Sequence, residues 1–279
     1  MPALATVAPF GFTFDVHRLL SAYAAVGVTT LQFYRNEQKP PTVAEALRLA
    51  GSLGLKYDSI HGVFGFHLDP SSDDPEHRKH CLKVYEDEGK LARDLGGPMV
   101  VVHPSKWNEG MRNMSLDELA REKVRRVPML MDFLSRLAEV GQRLGVVYLI
   151  ENQPYNNPLG HDPVALAQCV LDAGSPHIRM CLDTGHAHIT SDLISATRAC
   201  LPAIAYYHIH DNDGTLDDHR MPGDGTIDWP AFAAVLREGK SRAPTPPAPR
   251  MLEVFYDEPR VESLAAAGLR DRLHAALAL

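Results

Sequence analysis

Long apolar runs are missing from this chain of 279 residues. No stretch approaches the ~20 consecutive apolar residues that a membrane-spanning helix needs, which excludes a helical transmembrane protein. Positive charge is also short: 28 Lys and Arg stand against 35 Asp and Glu, a formal net charge of −7. That balance argues against a generally basic nucleic-acid-binding surface, while leaving room for a local basic patch. Cysteine is sparse, and Cys81, Cys169, Cys181 and Cys200 lack CxxC spacing and sit in apolar surroundings. They read as buried free thiols, not as a disulfide framework or a zinc ribbon, and a cytoplasmic location follows. Met1 to Phe14 has no basic start and is followed by Asp15, His17 and Arg18, so no signal peptide is expected. A Gly-rich phosphate turn after the first candidate strand is absent too, which counts against a doubly wound dinucleotide-binding sheet. No short repeat and no interdomain linker interrupt the chain.

What is present is a hydrophobic fraction of 45% with 23% charged residues, ample for a sizeable core. β-rich apolar runs recur at about 5–14, 28–34, 55–60, 99–103, 146–151, 178–183, 203–210 and 251–256. Helix-period stretches lie between them at about 42–53, 74–95, 116–144, 163–173, 192–201 and 229–238, and a last helix over 262–277 closes the chain. Eight strands alternating with helices at this length predict one α/β domain over residues 1–279, a single (β/α)8 TIM barrel. The Pro-rich segment 243–249 falls between a helix and the last strand, at the floor of such a barrel.

The strand ends deliver acids and imidazoles in succession: His61, His103, Glu151, Asp183 with His186, His208 with His210, and Glu253. Barrel sites form at the C-terminal ends of strands, so these side chains should converge on one mouth. Glu151 and Asp183 each close an apolar run, and Glu253 is a lone acid within another. Burying such carboxylates without a partner is costly, and a divalent cation removes the cost by using them as oxygen ligands. His208 and His210 share parity on the seventh strand, and imidazole suits zinc, manganese or cobalt. Either could be the ligand; the spacing to the following Asp favours His208. His61 and His103 are expected to act as ligands or as substrate hydrogen-bond donors. His186, three residues past Asp183, fits a substrate or second-metal role. Asp217 and His219 could grasp a second cation, and Arg220 an anionic or polyhydroxy substrate. Asp211 and Asp213 also read as turn-forming residues.

Five segments carry a family resemblance: Glu151-Asn152, Asp183-Thr184-Gly185-His186, His208-Ile209-His210-Asp211-Asn212-Asp213-Gly214, Pro222-Gly223-Asp224-Gly225-Thr226-Ile227-Asp228-Trp229, and Leu252-Glu253. Together with His61 and His103 they resemble the xylose-isomerase-like TIM-barrel superfamily. That superfamily holds sugar and sugar-phosphate isomerases and epimerases and the endonuclease IV type of AP endonuclease. The resemblance implies a divalent metal (Zn, Mn, Mg or Co) held by Glu151, Asp183, a seventh-strand histidine and Glu253. It also implies Glu151 and Glu253 as the acid/base pair that moves a proton next to a carbonyl through a metal-stabilised enediolate. His61, His103, His186 and Arg220 would then bind the substrate, a small carbohydrate or polyol. The endonuclease branch implies instead three zinc ions on His61, His103, Glu151, Asp183, His186, His208, Asp217, His219 and Glu253. Against it stand the sparse basic loops, with Arg35 and Lys39 after the second strand and Lys106 and Arg112 after the fourth. A non-catalytic metal-binding barrel is the remaining alternative.

Overall fold

Eight parallel strands close into a barrel in sequence order. A computed structural model describes residues 2–65, 67–106, 114–240 and 248–279. The strands are β1 (Leu4–Phe10), β2 (Thr30–Arg35), β3 (Lys56–His61), β4 (Met99–Val102), β5 (Val147–Glu151), β6 (Ile178–Asp183), β7 (Ile204–Ile209) and β8 (Arg250–Leu252). Between and after them lie α1 (Val16–Ala25), α2 (Val43–Ser52), α3 (Pro75–Leu95), α4 (Leu116–Leu144), α5 (Pro163–Asp172), α6 (Thr184–Thr190), α7 (Leu193–Cys200), α8 (Trp229–Lys240), α9 (Glu258–Ala266) and α10 (Leu269–Leu277).

Local chemistry explains where the helices start and stop. Thr42 and Ser115 open α2 and α4 with reciprocal capping boxes to Glu45 and Glu118. Asp74 and Asp162 cap α3 and α5 ahead of a proline, and Gly96 and Gly145 end α3 and α4 in the left-handed conformation. The single closing helix expected over 262–277 is two, α9 and α10, because Gly268 at φ 89° breaks it. α1 and the short α6 carry too few periodic positions to be read from the sequence. The first strand stops at Phe10, since Gly11 turns the chain at φ 77°. Most of the Pro-rich segment 243–249, and Arg112, lie outside the described residues.

Apolar side chains fill two compartments. The larger lies between the strands and the helical shell; the smaller, inside the barrel, comprises Ala5, Val7, Val101, Leu149, Cys181, Tyr206 and Met251. This inner layer is the floor of the site. One polar seam interrupts it. The β2–β3 register skips Asp58, so Asp58 and Ser59 both turn inward and meet the Tyr206 hydroxyl. Gln32 continues the seam upward from Ser59, at 3.2 Å, to His208.

Candidate active site and metal centre

The expected strand-end residues do converge. Glu151 closes β5 and Asp183 closes β6, both buried. His208 is the fifth residue of β7, and Glu253 lies just past β8. The His208 Nδ1 atom sits 2.6 Å from Glu151 Oε1, 3.0 Å from Glu253 Oε2 and 4.0 Å from Asp183 Oδ2. Glu151 Oε2, Asp183 Oδ2 and Glu253 Oε2 are buried with no hydrogen-bond partner. Orphaned buried carboxylate oxygens converging with one imidazole are what a divalent cation satisfies, so this donor set fits a metal. Asp183 can spare Oδ2 because Oδ1 is already engaged, capping α6 through the His186 N–H at 2.7 Å.

Two further donor groups flank this centre. His103 Nε2 is 3.0 Å and His61 Nε2 3.7 Å from Glu151 Oε2, and those three residues form a group of their own. On the other side, His186, His210, Asp217 and His219 gather around a second point. The choice between His208 and His210 thereby takes a definite form. His208 belongs with Glu151, Asp183 and Glu253, while His210 joins the flanking group, its Nε2 3.0 Å from Asp183 Oδ1.

Electrostatics favour the ionised form of the two glutamates. Burial alone would raise the Glu151 carboxyl, but the His208, His103 and His61 imidazoles outweigh it and hold it well below the usual range. Glu253 is likewise lowered, His208 overcoming the effect of burial. Burial would lower the imidazoles, yet Asp183 and Asp217 hold His186 well above its ordinary value. His219 is raised to about 9 against burial by Asp217 and Glu253. His103 moves the other way: burial lowers it more than Glu151 raises it.

Residues to which the sequence reading gave no role of their own hold this constellation in place. Asn152 accepts the Asp183 N–H at 2.8 Å and donates to the Asp183 carbonyl at 3.0 Å. The Asn152 backbone carbonyl meets His186 Nδ1 at 2.8 Å. Gln32, fully buried on β2, faces His208 Nε2 at 3.1 Å. Only strand parity could have pointed to it, and a glutamine in a strand carries no signal of metal chemistry. Tyr34, Phe64 and Phe255 form an aromatic wall packed on His61, His103 and His219, and Phe12 stacks on Tyr34. The Phe12, Phe64 and Phe255 rings are 41%, 43% and 38% exposed, so the wall opens to solvent.

The loop after β7 is built around Asp211, whose carboxylate accepts from the backbone of Gly223 (2.9 Å) and Ile227 (3.2 Å) and from Trp229 Nε1 (2.8 Å). Asp211 is thus a structural hub, and Asp213 forms the turn read for it by accepting from the Thr215 N–H at 3.1 Å. Arg220 is not brought to the donors by any described contact; its guanidinium is bonded to Asp218 and Asp213. Arg35 is held by Glu88 at 2.6 Å. His188 bonds Thr226 at 2.9 Å, and His177 bonds the Val146 carbonyl at 2.8 Å.

Fold and site together define a (β/α)8 barrel whose mouth gathers His, Asp and Glu side chains able to hold a metal ion. Residues 20–270 match the family model described as Xylose isomerase-like TIM barrel, and the chain belongs to that family. Among curated relatives it is similar to the uncharacterized protein MJ1311 of Methanocaldococcus jannaschii, 27% identical over 183 residues. That match covers 64% of this chain and 59% of the relative, so the chain spans well under two thirds of that protein's length. Among solved structures it is similar to an L-ribulose 3-epimerase, with TM-score 0.76, 19% identity, and 99% and 96% of the two chains covered. A D-tagatose 3-epimerase-like protein follows with TM-score 0.75, 19% identity, and 99% and 98% coverage. At these identities the structural likenesses establish the fold.

Proposed function

We propose that this chain is, as a single domain, a divalent-metal-dependent isomerase or epimerase of a small carbohydrate or polyol. The observation that carries the reading is the convergence of Glu151 and Glu253, from β5 and β8, on the same His208 nitrogen at 2.6 and 3.0 Å, with Asp183 beside them. Glu151, Asp183, His208 and Glu253 would hold the metal, which when bound supplies polarisation of a substrate carbonyl. Glu151 and Glu253 are both ionised, so each enters the reaction able to accept a proton. One takes the proton from the carbon next to the carbonyl; the other, once it has picked up a proton from solvent, delivers it to the opposite face, and the first then gives its own proton back to solvent. His61, His103 and His186 supply hydrogen bonds to substrate oxygens. The aromatic wall of Tyr34, Phe64 and Phe255 offers a face for C–H groups of the substrate at the open side of the mouth. The sugar epimerases among the structural neighbours support the same reaction class. Free cysteines and the lack, among the described residues, of a helix able to cross a membrane accord with a cytoplasmic setting.

A second reading, zinc-dependent phosphodiester cleavage, draws on His61, His103, Glu151, Asp183, His186, His208, Asp217, His219 and Glu253 all falling within adjoining, overlapping donor groups. The mouth favours the first reading: it presents aromatic rings, while Arg35 and Arg220 are taken up by Glu88, Asp213 and Asp218 and do not stand free for phosphates. Two assays decide, one on the Mn2+- or Co2+-loaded protein and one on the zinc-loaded protein. Exchange of a substrate C–H with solvent deuterium is expected on some member of a panel of ketoses, inosose-type polyols and their phosphates. No exchange on that panel, with incision of an abasic-site duplex by the zinc-loaded protein, would replace the first reading with the second. A metal-induced rise in thermal stability without turnover in either assay would leave a binding barrel.

A further inference from the structure

Aromatic rings crowd one half of the barrel mouth. Phe12 follows β1, Tyr34 lies on β2, Phe64 follows β3 and Phe255 follows β8, four neighbouring positions around the closed barrel. Glu151, Asp183 and His208 come from the other half, on β5, β6 and β7. Among the described residues three phenylalanines are exposed, Phe12, Phe64 and Phe255, and all three belong to this group. Single exposed apolar residues are ordinary, but contiguous exposed rings beside a polar centre mark a surface that a ligand covers.

The rings reach further out than a bare sugar needs. Phe64 lies 4.8 Å from the His61 ring and 4.6 Å from the His103 ring, and Phe255 lies 4.9 Å from that of His219, centroid to centroid. Tyr34 meets the His61 ring edge-on at 5.4 Å. One sugar ring held at the donors can touch all three. Phe12 is a ring further out: it stacks on Tyr34 at 5.4 Å, with planes 9° apart, and among the described residues packs against no imidazole. Its exposed face is left over by a monosaccharide and used by a longer substrate. Charge points the same way. Arg35, next to Tyr34 on β2, turns away to Glu88 on α3 at 2.6 Å, and Arg220 is bonded to Asp218 and Asp213, so neither stands free for a phosphate group.

We propose that Phe12, Tyr34, Phe64 and Phe255 form a subsite for an aryl substituent, so that the substrate is a sugar or polyol bearing an aromatic group and not the free or phosphorylated compound. The proposal rests on the isomerase or epimerase reading above and names its substrate class. The polar part of the substrate lies over the donors, with His61 and His103 at its oxygens. The aryl group lies outward along the near-parallel rings of Tyr34 and Phe12, in the offset stacking that aromatic pairs prefer. Covering one face of a phenyl ring is worth about tenfold in affinity.

The exchange panel tests this when each ketose and inosose-type polyol is supplied free, phosphorylated and as its O-phenyl derivative. Solvent deuterium should enter a phenyl derivative with kcat/KM at least about tenfold above that of the free and phosphorylated forms. Phe12→Ala should remove most of that preference, the loss falling on KM. In saturation-transfer NMR on the Mg2+-loaded wild-type chain, the phenyl protons of that derivative should receive magnetisation from the protein, a measurement that needs no variant to fold. Preference for the free or phosphorylated form, phenyl protons that receive none, or a Phe12→Ala protein with unaltered KM for the phenyl derivative overturns the proposal and leaves the proposed function intact. A dimer at assay concentration that Phe12→Ala dissolves also overturns it, because a second copy would then cover the ring. No exchange on any member removes both.

Discussion

Gly185→Ala is a one-methyl test of how tightly the flanking donor group is built. Gly185 is the second residue of α6, and its backbone conformation is one that alanine adopts freely. Space is the constraint. A Cβ there would lie 1.9 Å from Cε1, 2.3 Å from Nδ1 and 2.7 Å from Nε2 of His210. Ordinary carbon contacts need about 3.5–4.0 Å, so the ring must retreat by roughly 1.5–2 Å. It has nowhere empty to go, since His210 is fully buried and its backbone is bonded to Thr184 Oγ1 at 3.1 Å. Overpacking of this kind costs about 1–3 kcal/mol, which for a chain of this size lowers the melting temperature by roughly 2–12 °C. The larger effect is on metal. Coordination distances tolerate about ±0.2 Å, so a ring displaced several times that far ceases to be a ligand. Thermal unfolding of stripped protein, with and without zinc, reads both effects. The wild type should gain about 2.7 kcal/mol at a zinc concentration 100 times Kd, and the variant should lose most of that increment. Gly51→Ala serves as control: it is helical, nothing lies within 4 Å of the added Cβ, and it should be neutral or stabilising by up to about 1 kcal/mol. A Gly185→Ala protein that keeps the full zinc increment would refute the reasoning, because His210 would then not be held where its nitrogen counts.

Glu151→Gln and Glu253→Gln should each reduce turnover by at least about 10²–10⁴-fold; full activity in either, measured on the substrate found by deuterium exchange, would remove that residue from the acid/base pair. Gln32→Leu removes the only described polar contact of His208 Nε2 and should weaken the central metal by about 10–100-fold, checked by competition with a chelator; unchanged affinity would show that the barrel walls alone orient the ring. Burial pushes the thiols of Cys81, Cys181 and Cys200 up to about 11, 12 and 12. At about pH 8 they are therefore un-ionised in the folded chain and should resist a disulfide reagent until denaturant is added; labelling at the rate of a free thiol would contradict their placement. Asp211→Ala strips the loop hub of its bonds to Gly223, Ile227 and Trp229 and should destabilise the fold by roughly 2 kcal/mol or more, seen as a lower midpoint in denaturant.

Much of this molecule was legible in its residues. Alternation of β-rich and helix-period segments is a property of local burial, so it announced the barrel, and the ends of β5 and β6 and the bounds of α3 and α4 could be placed within a residue or so. Acids at the ends of apolar runs announced a shared cluster of donors at the barrel mouth for the same reason: an ionised side chain after a buried strand demands a partner. The local signals failed where geometry is set by neighbours distant in sequence. Glycine at 268 looks like a tolerable interruption until the barrel requires α10 to turn, and Arg220 looks free until the loop folds Asp213 and Asp218 onto it.

What the sequence determined by itself is the set of donors and the end of the barrel at which they meet, because strand parity and the βα order fix both. Tertiary structure alone decided how they divide. His208 and His210 have the same parity and the same chemistry, and nothing between them in the chain tells them apart. Their roles separate because β5 and β8 bring two carboxylates to one ring, while α6 and the loop after β7 bring two imidazoles and a carboxylate to the other. The partition is a matter of which distant residues lie a few ångströms away, and that distance exists only in the closed barrel.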